Sequence, residues 1–316
     1  MSYPAGPPTP PEPGGPSPER VLRNRQAPER VEPGFSTPSE AGPAVCVRHP
    51  DRATGLSCTR CGRPACPGCL REASVGYQCV DCVGEGRRGA RRGVTIAGAE
   101  PGGRGLVTPT LVGLNVAVFA WTVATSGSVS RNDRAPLFQE WALVPAAVAD
   151  GEWWRLLTGG FLHFGPIHLL FNMMALWVIG RDIEPALGRA RFLAVYLVSL
   201  LGASTAVMLL SVPNALVAGA SGAVFGLMGA LAVLLRRLRI PLGQVGGLIA
   251  INLVITFVLP GISVAGHLGG LLTGAIATAA LVYAPANRRV PVQTAALAGL
   301  TLLLLASLAL RMAVMA

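Results

Sequence analysis

From residue 106 onward the chain is a succession of long apolar runs separated by short polar breaks. The runs cover roughly 106–126, 162–180, 191–212, 219–235, 242–259, 263–284 and 293–314. Each approaches the twenty or so apolar residues needed to cross a hydrocarbon core about 30 Å thick. Helix is the state they must adopt, because isolated strands leave backbone groups unpaired in lipid. The pattern predicts an all-α polytopic membrane protein over residues 106–316. Upstream the pattern stops. Residues 1–44 are rich in Pro, Gly, Ser and Glu and nearly devoid of large apolar side chains. They cannot bury enough surface to offset ordering entropy and are expected to be disordered. They also lack the apolar centre of a secretory signal. All seven cysteines fall in 45–83, and a Gly/Arg linker fills 84–105.

Composition agrees with the pattern. Of 316 residues, 51% are hydrophobic and only 13% charged, against about 25% charged in soluble proteins. The net charge of +10 points to nucleic acid or an anionic membrane surface. All the basic charge is arginine, since the sequence has no lysine. Arg87, Arg88, Arg91 and Arg92 in the linker are suited to anionic headgroups. The remaining arginines set topology. Arg181, Arg189 and Arg191 lie in one break, Arg236, Arg237 and Arg239 in another, and Arg288 and Arg289 in a third. These are alternate loops, on the same side as the linker, whereas 213–218 and 260–262 carry no basic residue. The positive-inside rule then puts the N-terminus in the cytoplasm. A multi-pass protein of the cell (plasma) membrane is expected, with the second, fourth and sixth segments starting on the outer side.

Polar residues inside such segments are costly and call for a reason. His168 and Asn172 fall near the outer end of the second segment, with His163 just before them. Ser221 begins the fourth, in Gly219-Ala220-Ser221-Gly222, and His267 lies one turn into the sixth. All belong to even-numbered segments and to one depth. Ser221 needs a base to become a nucleophile, and His267 is the histidine available to it outside the second segment and the cysteine region. A Ser–His pair without a carboxylate requires an imidazole held by packing. His168 and Asn172 share a helix face at i, i+4 and can both donate to a developing oxyanion, beside the Gly219–Ser221 backbone. His163 is read as structural. Gly222 and Gly226 in one segment, and Gly270 and Gly274 in another, have the GxxxG spacing that permits close helix approach.

Residues 106–316 resemble the rhomboid intramembrane serine proteases. The resemblance rests on Trp154-Arg155, on His163, His168 and Asn172, on Gly219-Ala220-Ser221-Gly222, and on Gly266-His267-Leu268-Gly269-Gly270 with Gly274. It implies a rhomboid-like bundle of six helices plus a seventh C-terminal helix. It implies Ser221 as nucleophile, His267 as general base, and His168, Asn172 and Gly219 around the oxyanion. No cofactor is implied for the proteolytic chemistry. The implied substrates are single-pass membrane proteins cut near their outer boundary, reached from the lipid bilayer. Phe225 stands where well-studied relatives carry tyrosine. Its ring can pack on His267 but offers no hydroxyl.

The cysteine region reads Cys46, His49, Cys58, Cys61, Cys66, Cys69, Cys79 and Cys82. Eight ligands in four pairs suit two tetrahedral Zn²⁺ ions with a structural role. The odd cysteine count and the reducing cytoplasmic side argue against disulfides. The module resembles a B-box or related treble-clef-like finger. A cross-braced pairing groups Cys46, His49, Cys66 and Cys69, with Cys58, Cys61, Cys79 and Cys82 on the second ion; a sequential pairing stays open. So little chain has scant core and needs metal to fold. The module lacks the aromatic interleaving of nucleic-acid readers, so a cytoplasmic protein partner, a substrate tail or a purely structural role is expected rather than nucleic acid.

Two other functions compete with proteolysis. A non-catalytic rhomboid-like membrane chaperone or trafficking factor typically lacks the serine or the histidine, and both are present here. A transporter would want repeated halves and an intramembrane acid beside His267, and the sequence has no obvious sign of either.

Overall fold

The computed structural model describes residues 43–89, 93–100 and 105–315. The expected Pro-rich tail up to residue 42, and Arg91 and Arg92 of the linker, lie outside the described residues. The chain divides into two compact units, Met1–Ala90 and Arg91–Ala316.

The first unit is a small finger. Antiparallel β1 (Val45–Cys46) and β2 (His49–Ala53) form one ribbon, and β3 (Leu70–Glu72) and β4 (Tyr77–Cys79) form another. Helix α1 (Val80–Gly89) follows and extends into the segment expected to be linker. The core of the unit consists of Cys46, Cys58, Cys66, Cys69, Cys79 and Cys82 with Ala65 and Leu70. Such a core is far too small to hold a fold by apolar burial.

The second unit holds seven long helices where the seven apolar runs were expected. They are α2 (Val107–Ser126), α3 (Gly165–Leu187), α4 (Arg189–Leu210), α5 (Ser221–Leu238), α6 (Gly243–Val258), α7 (Val264–Val282) and α8 (Arg289–Met315). α2, α4, α5, α7 and α8 are long and apolar enough to cross a membrane, and α3 joins Arg155–Phe161 through a 94° bend as a further span. This is a multi-pass membrane protein. α6 matches the expected run 242–259 to within a residue at each end. Its 16 residues reach about 24 Å at 1.5 Å per residue, short of a full span. Pro241 and Pro260 bracket it, and neither can extend a helix through its own N–H.

The bundle centres on α5, whose residues from Gly222 to Ala230 are all buried. Glycine pairing explains the closeness of α5 and α7. A Cβ on Gly270 would collide with the Gly222 carbonyl, and one on Gly274 with the Gly226 carbonyl. The expected GxxxG contact therefore forms. Gly269 packs in the same way on α4, where a Cβ would lie 2.7 Å from Gly202 O.

Polar clamps fix the opposite ends. The Glu184 carboxylate accepts the backbone N–H groups of Leu106, Val107 and Thr108 at 2.7–2.9 Å, capping α2. Gln293 of α8 is buried and donates to Ala97 O (3.0 Å) and Leu281 O (2.7 Å), while Arg191 donates to its Oε1 (2.8 Å). At the other end, the long connection after α2 folds into short helices over Pro136–Trp141, Pro145–Ala149 and Arg155–Thr158. Arg155 organises it, donating to Gln139 O (2.6 Å), Ala142 O (2.8 Å) and Glu152 (2.6 Å). Leu143 then pairs with Val217 by two backbone hydrogen bonds of 2.9 Å. That bridge ties the connection to the loop leading into Ser221.

Candidate active site

Ser221 is the first residue of α5, and His267 is in the first turn of α7. The tight α5–α7 approach brings the Ser221 Oγ within 2.8 Å of His267 Nε2. Phe225, one turn below Ser221, stacks on the imidazole with ring centroids 4.1 Å apart and planes 16° apart. The expectation that a phenyl ring can pack here holds. His267 is only 7% exposed, which removes competing water from the pair.

His168, in the first turn of α3, faces the same point. The Phe164 N–H donates to its Nδ1 at 3.2 Å. Nδ1 is thus an acceptor, and the ring's hydrogen belongs on Nε2. That nitrogen points toward the loop before Ser221, since a Cβ on Gly219 would lie 2.9 Å from it. Gly219 has φ of 134°, a conformation that side chains disfavour, and its absent Cβ makes room for His168. The Gly219 N–H is already donated to Gly159 O at 2.9 Å. That N–H is therefore paired, and what this residue leaves open is room for His168. Asn172 lies one turn below His168 and donates to His168 O at 2.9 Å. That bond uses one of its two amide hydrogens.

His163 is fully buried and its ring meets His168 edge-on at 5.1 Å. Its Nε2 lies 3.5 Å from the Ala220 N–H. Its backbone carbonyl accepts from Asn132 at 2.8 Å, and Asn132 Oδ1 accepts the Gly165 N–H at 2.9 Å. The structural reading of His163 fits this placement. Asn132 escaped the sequence reading because it sits in an unremarkable polar loop, far in sequence from everything it touches. Thr256 also escaped it. Its Oγ1 lies 2.7 Å from His267 Nδ1, so the imidazole is held by a polar partner as well as by packing. The signal was present as a polar Asn252–Thr256 pair inside an apolar run.

A cavity of about 1230 Å³ opens over the pair, with Ser221, His267, His168, Asn172 and Gly219 on its wall. Phe171, Met174 and Val178 of α3 and Leu248 and Ile255 of α6 supply an apolar side wall. No Asp or Glu lines it among the described residues.

The first unit brings its eight ligand residues into two groups. Cys46, His49, Cys66 and Cys69 form one, and Cys58, Cys61, Cys79 and Cys82 the other, the ligand atoms of each lying within 4.8 Å of one another. The arrangement is cross-braced. Tetrahedral zinc, with bonds of about 2.3 Å to sulfur and about 2.0 Å to nitrogen, has S···N edges of about 3.6 Å and S···S edges of about 3.8 Å. The sulfurs of Cys46, Cys66 and Cys69 lie 3.7, 3.5 and 3.3 Å from His49 Nδ1. Cys61 and Cys79 sulfurs are 3.8 Å apart. Both groups could therefore hold a metal ion. The thiols within each group differ. The Cys79 backbone N–H, 3.2 Å from Cys58 Sγ, helps lower that thiol to about 6, and the Cys66 backbone lowers Cys46 to about 6. Burial raises Cys69 to about 11 and Cys82 to about 12. A divalent cation would favour the thiolate at all of them.

A polytopic helical bundle with a serine and a histidine in contact on the wall of one cavity defines a narrow class. A Rhomboid domain model matches residues 150–284. The chain is 30% identical over 220 residues to rhomboid protease AarA of Providencia stuartii, covering 58% of this chain and 75% of that protein. It is 44% identical over 140 residues to rhomboid protease GluP of Bacillus subtilis, covering 42% of this chain and 27% of that protein. With RHOMBOID-like protein 6, mitochondrial, of Arabidopsis thaliana it shares 40% identity over 134 residues, 40% of this chain and 43% of that one. The chain belongs to the rhomboid family, whose members include proteins named as proteases. It spans only about a quarter of GluP's length.

Proposed function

We propose that the protein is an intramembrane serine endopeptidase acting through Ser221 and His267. The observation that carries this reading is the 2.8 Å contact between Ser221 Oγ and His267 Nε2 at the wall of an open cavity. Nε2 takes the hydroxyl proton as Oγ bonds to the scissile carbonyl carbon. The carbonyl oxygen gains the negative charge. His168 Nε2–H and the unused Asn172 amide hydrogen are the side-chain donors for it. Collapse of this intermediate breaks the C–N bond, and His267 returns the proton to the departing amine. Water then gives a proton to His267 as it bonds to the acyl carbon, and when the C–Oγ bond breaks His267 returns that proton to Ser221. Each step balances without a metal or cofactor.

The cavity's surroundings support the substrate class that the family resemblance implies. The apolar wall between α3 and α6 suits a transmembrane helix arriving from the bilayer. Single-pass membrane proteins are the proposed substrates, cut near the outer boundary. The arginine pattern supports a plasma-membrane protein with a cytoplasmic N-terminus and an outward-facing site. The finger is proposed to hold two Zn²⁺ ions and to recruit a cytoplasmic protein partner. The domains proposed are the finger over 45–83, the linker over 84–105 and the protease domain over 106–316. A non-catalytic chaperone of the same fold would not need the Ser221–His267 contact.

The test is cleavage of a single-pass substrate in liposomes by wild type and Ser221→Ala. Loss of cleavage is expected in the variant, together with loss of labelling by a fluorophosphonate probe. Equal cleavage by both proteins would sink the proposal.

A further inference from the structure

Thr256 is not among the residues that the family motifs pick out, yet it touches the proposed base. It lies on α6 and is the buried residue of that helix, 2% exposed, while its neighbours face outward or half outward. A threonine inside a membrane helix ordinarily donates to its own helix. Thr256 Oγ1 does so, 2.7 Å from Asn252 O. The same oxygen is 2.7 Å from His267 Nδ1.

Counting hydrogens decides who donates. A hydroxyl has one hydrogen, and a carbonyl oxygen can only accept. With its hydrogen on Asn252 O, Thr256 presents a lone pair to Nδ1, so Nδ1 must carry the ring's hydrogen. A neutral imidazole has one such hydrogen. Nε2 is then the bare nitrogen, and it is the one 2.8 Å from Ser221 Oγ. The opposite tautomer would leave Ser221 without an acceptor.

Resting on the proteolytic reading, we infer that Thr256 is the positioning residue of His267. It fixes the Nδ1–H tautomer, aims Nε2 at Ser221, and goes on accepting from Nδ1–H when the ring becomes an imidazolium. In a Ser–His–Asp triad a carboxylate fills this place. Here a neutral hydroxyl fills it, its oxygen oriented by the Asn252 carbonyl, in a cavity whose lining holds no Asp or Glu among the described residues. The arrangement joins the base to α6, the short helix between Pro241 and Pro260, so the imidazole's setting depends on where α6 sits.

The experiment compares wild type, Thr256→Val and Thr256→Ser in two readouts. The first is ¹⁵N NMR of histidine-labelled full-length protein in micelles, with the His267 signals identified by their loss in His267→Gln. Wild type and Thr256→Ser are expected as the Nδ1–H tautomer, and Thr256→Val as a mixture or the reverse. The second is cleavage kinetics. Thr256→Val is expected to lower kcat roughly ten- to a hundredfold, the range for removing the partner that orients an imidazole, with KM nearly unchanged. Thr256→Ser should restore most of it. A wild-type Nε2–H tautomer, an unaltered kcat in Thr256→Val, or equal losses in the Val and Ser variants would each overturn the proposal, the last showing packing instead. If Thr256→Val does not fold, the wild-type tautomer and the Thr256→Ser kinetics still decide. Undiminished cleavage by Ser221→Ala would sink the proteolytic reading alone, because the tautomer is read without turnover.

Discussion

Three side chains hold the His267 ring: Phe225 on its face, Ser221 at Nε2 and Thr256 at Nδ1. A stacked aromatic pair contributes about 0.5–1.5 kcal/mol beyond area burial. Phe225→Ala is therefore expected to slow cleavage by up to about tenfold, while Phe225→Tyr should stay near wild type; kcat measured on a model substrate checks both. His168 is proposed to act on the other partner in the reaction. In that role its Nε2–H meets the oxyanion only as charge develops, so His168→Ala should cut kcat by roughly 10²–10³ and leave KM nearly unaltered. An equal loss in KM would show that His168 binds substrate instead. The serine, both histidines and Asn172 were readable because a polar side chain in an apolar run stands out. Thr256 was equally polar and formed a pair with Asn252 in its run, but threonine so commonly back-bonds within its own helix that the pair did not read as part of a site. What gives it a role is the arrival of Nδ1 from a helix eleven residues on.

At the scale of elements, the proposed site is assembled by helix ends. α3, α5 and α7 begin at one end of the bundle, and each supplies its side chain within the first turn or two. Glycine makes the α5–α7 approach possible, and Gly274 faces the Gly226 carbonyl with no room for a Cβ. Gly274→Leu is expected to lower stability by at least about 1–3 kcal/mol, the cost of overpacking a fitted contact. A lower Tm with cleavage reduced below the Tm would show that the helices have parted; an unchanged Tm would refute the wedge. Seven apolar runs were legible as seven helices because span length follows from bilayer thickness. The short α6 was legible too, because Pro241 and Pro260 bound its run in the sequence. The bridge between Leu143 and Val217 was hidden, because pairing between two loops leaves no periodic trace.

At the scale of the molecule, two compact units close separate cores, one of cysteines and one of apolar helices. Deleting residues 1–90 is expected to leave cleavage of a generic substrate close to the full-length rate. Loss of all cleavage by correctly inserted protein would overturn that expectation. The finger makes its own prediction: elemental analysis should find two zinc ions per chain, and Cys58→Ser should lower the content while cleavage of the generic substrate persists. The sequence by itself determined the membrane-spanning class, the eight metal-ligand candidates and the placement of Ser221 and His267 near the starts of their segments. It could do so because hydropathy and ligand spacing are local properties. Tertiary structure alone decided the cross-braced grouping of the ligands, the contact of Ser221 with His267 and the contact of His267 with Thr256. Each joins groups distant in the chain, and only the packing of glycine faces and strand ribbons sets which of them meet.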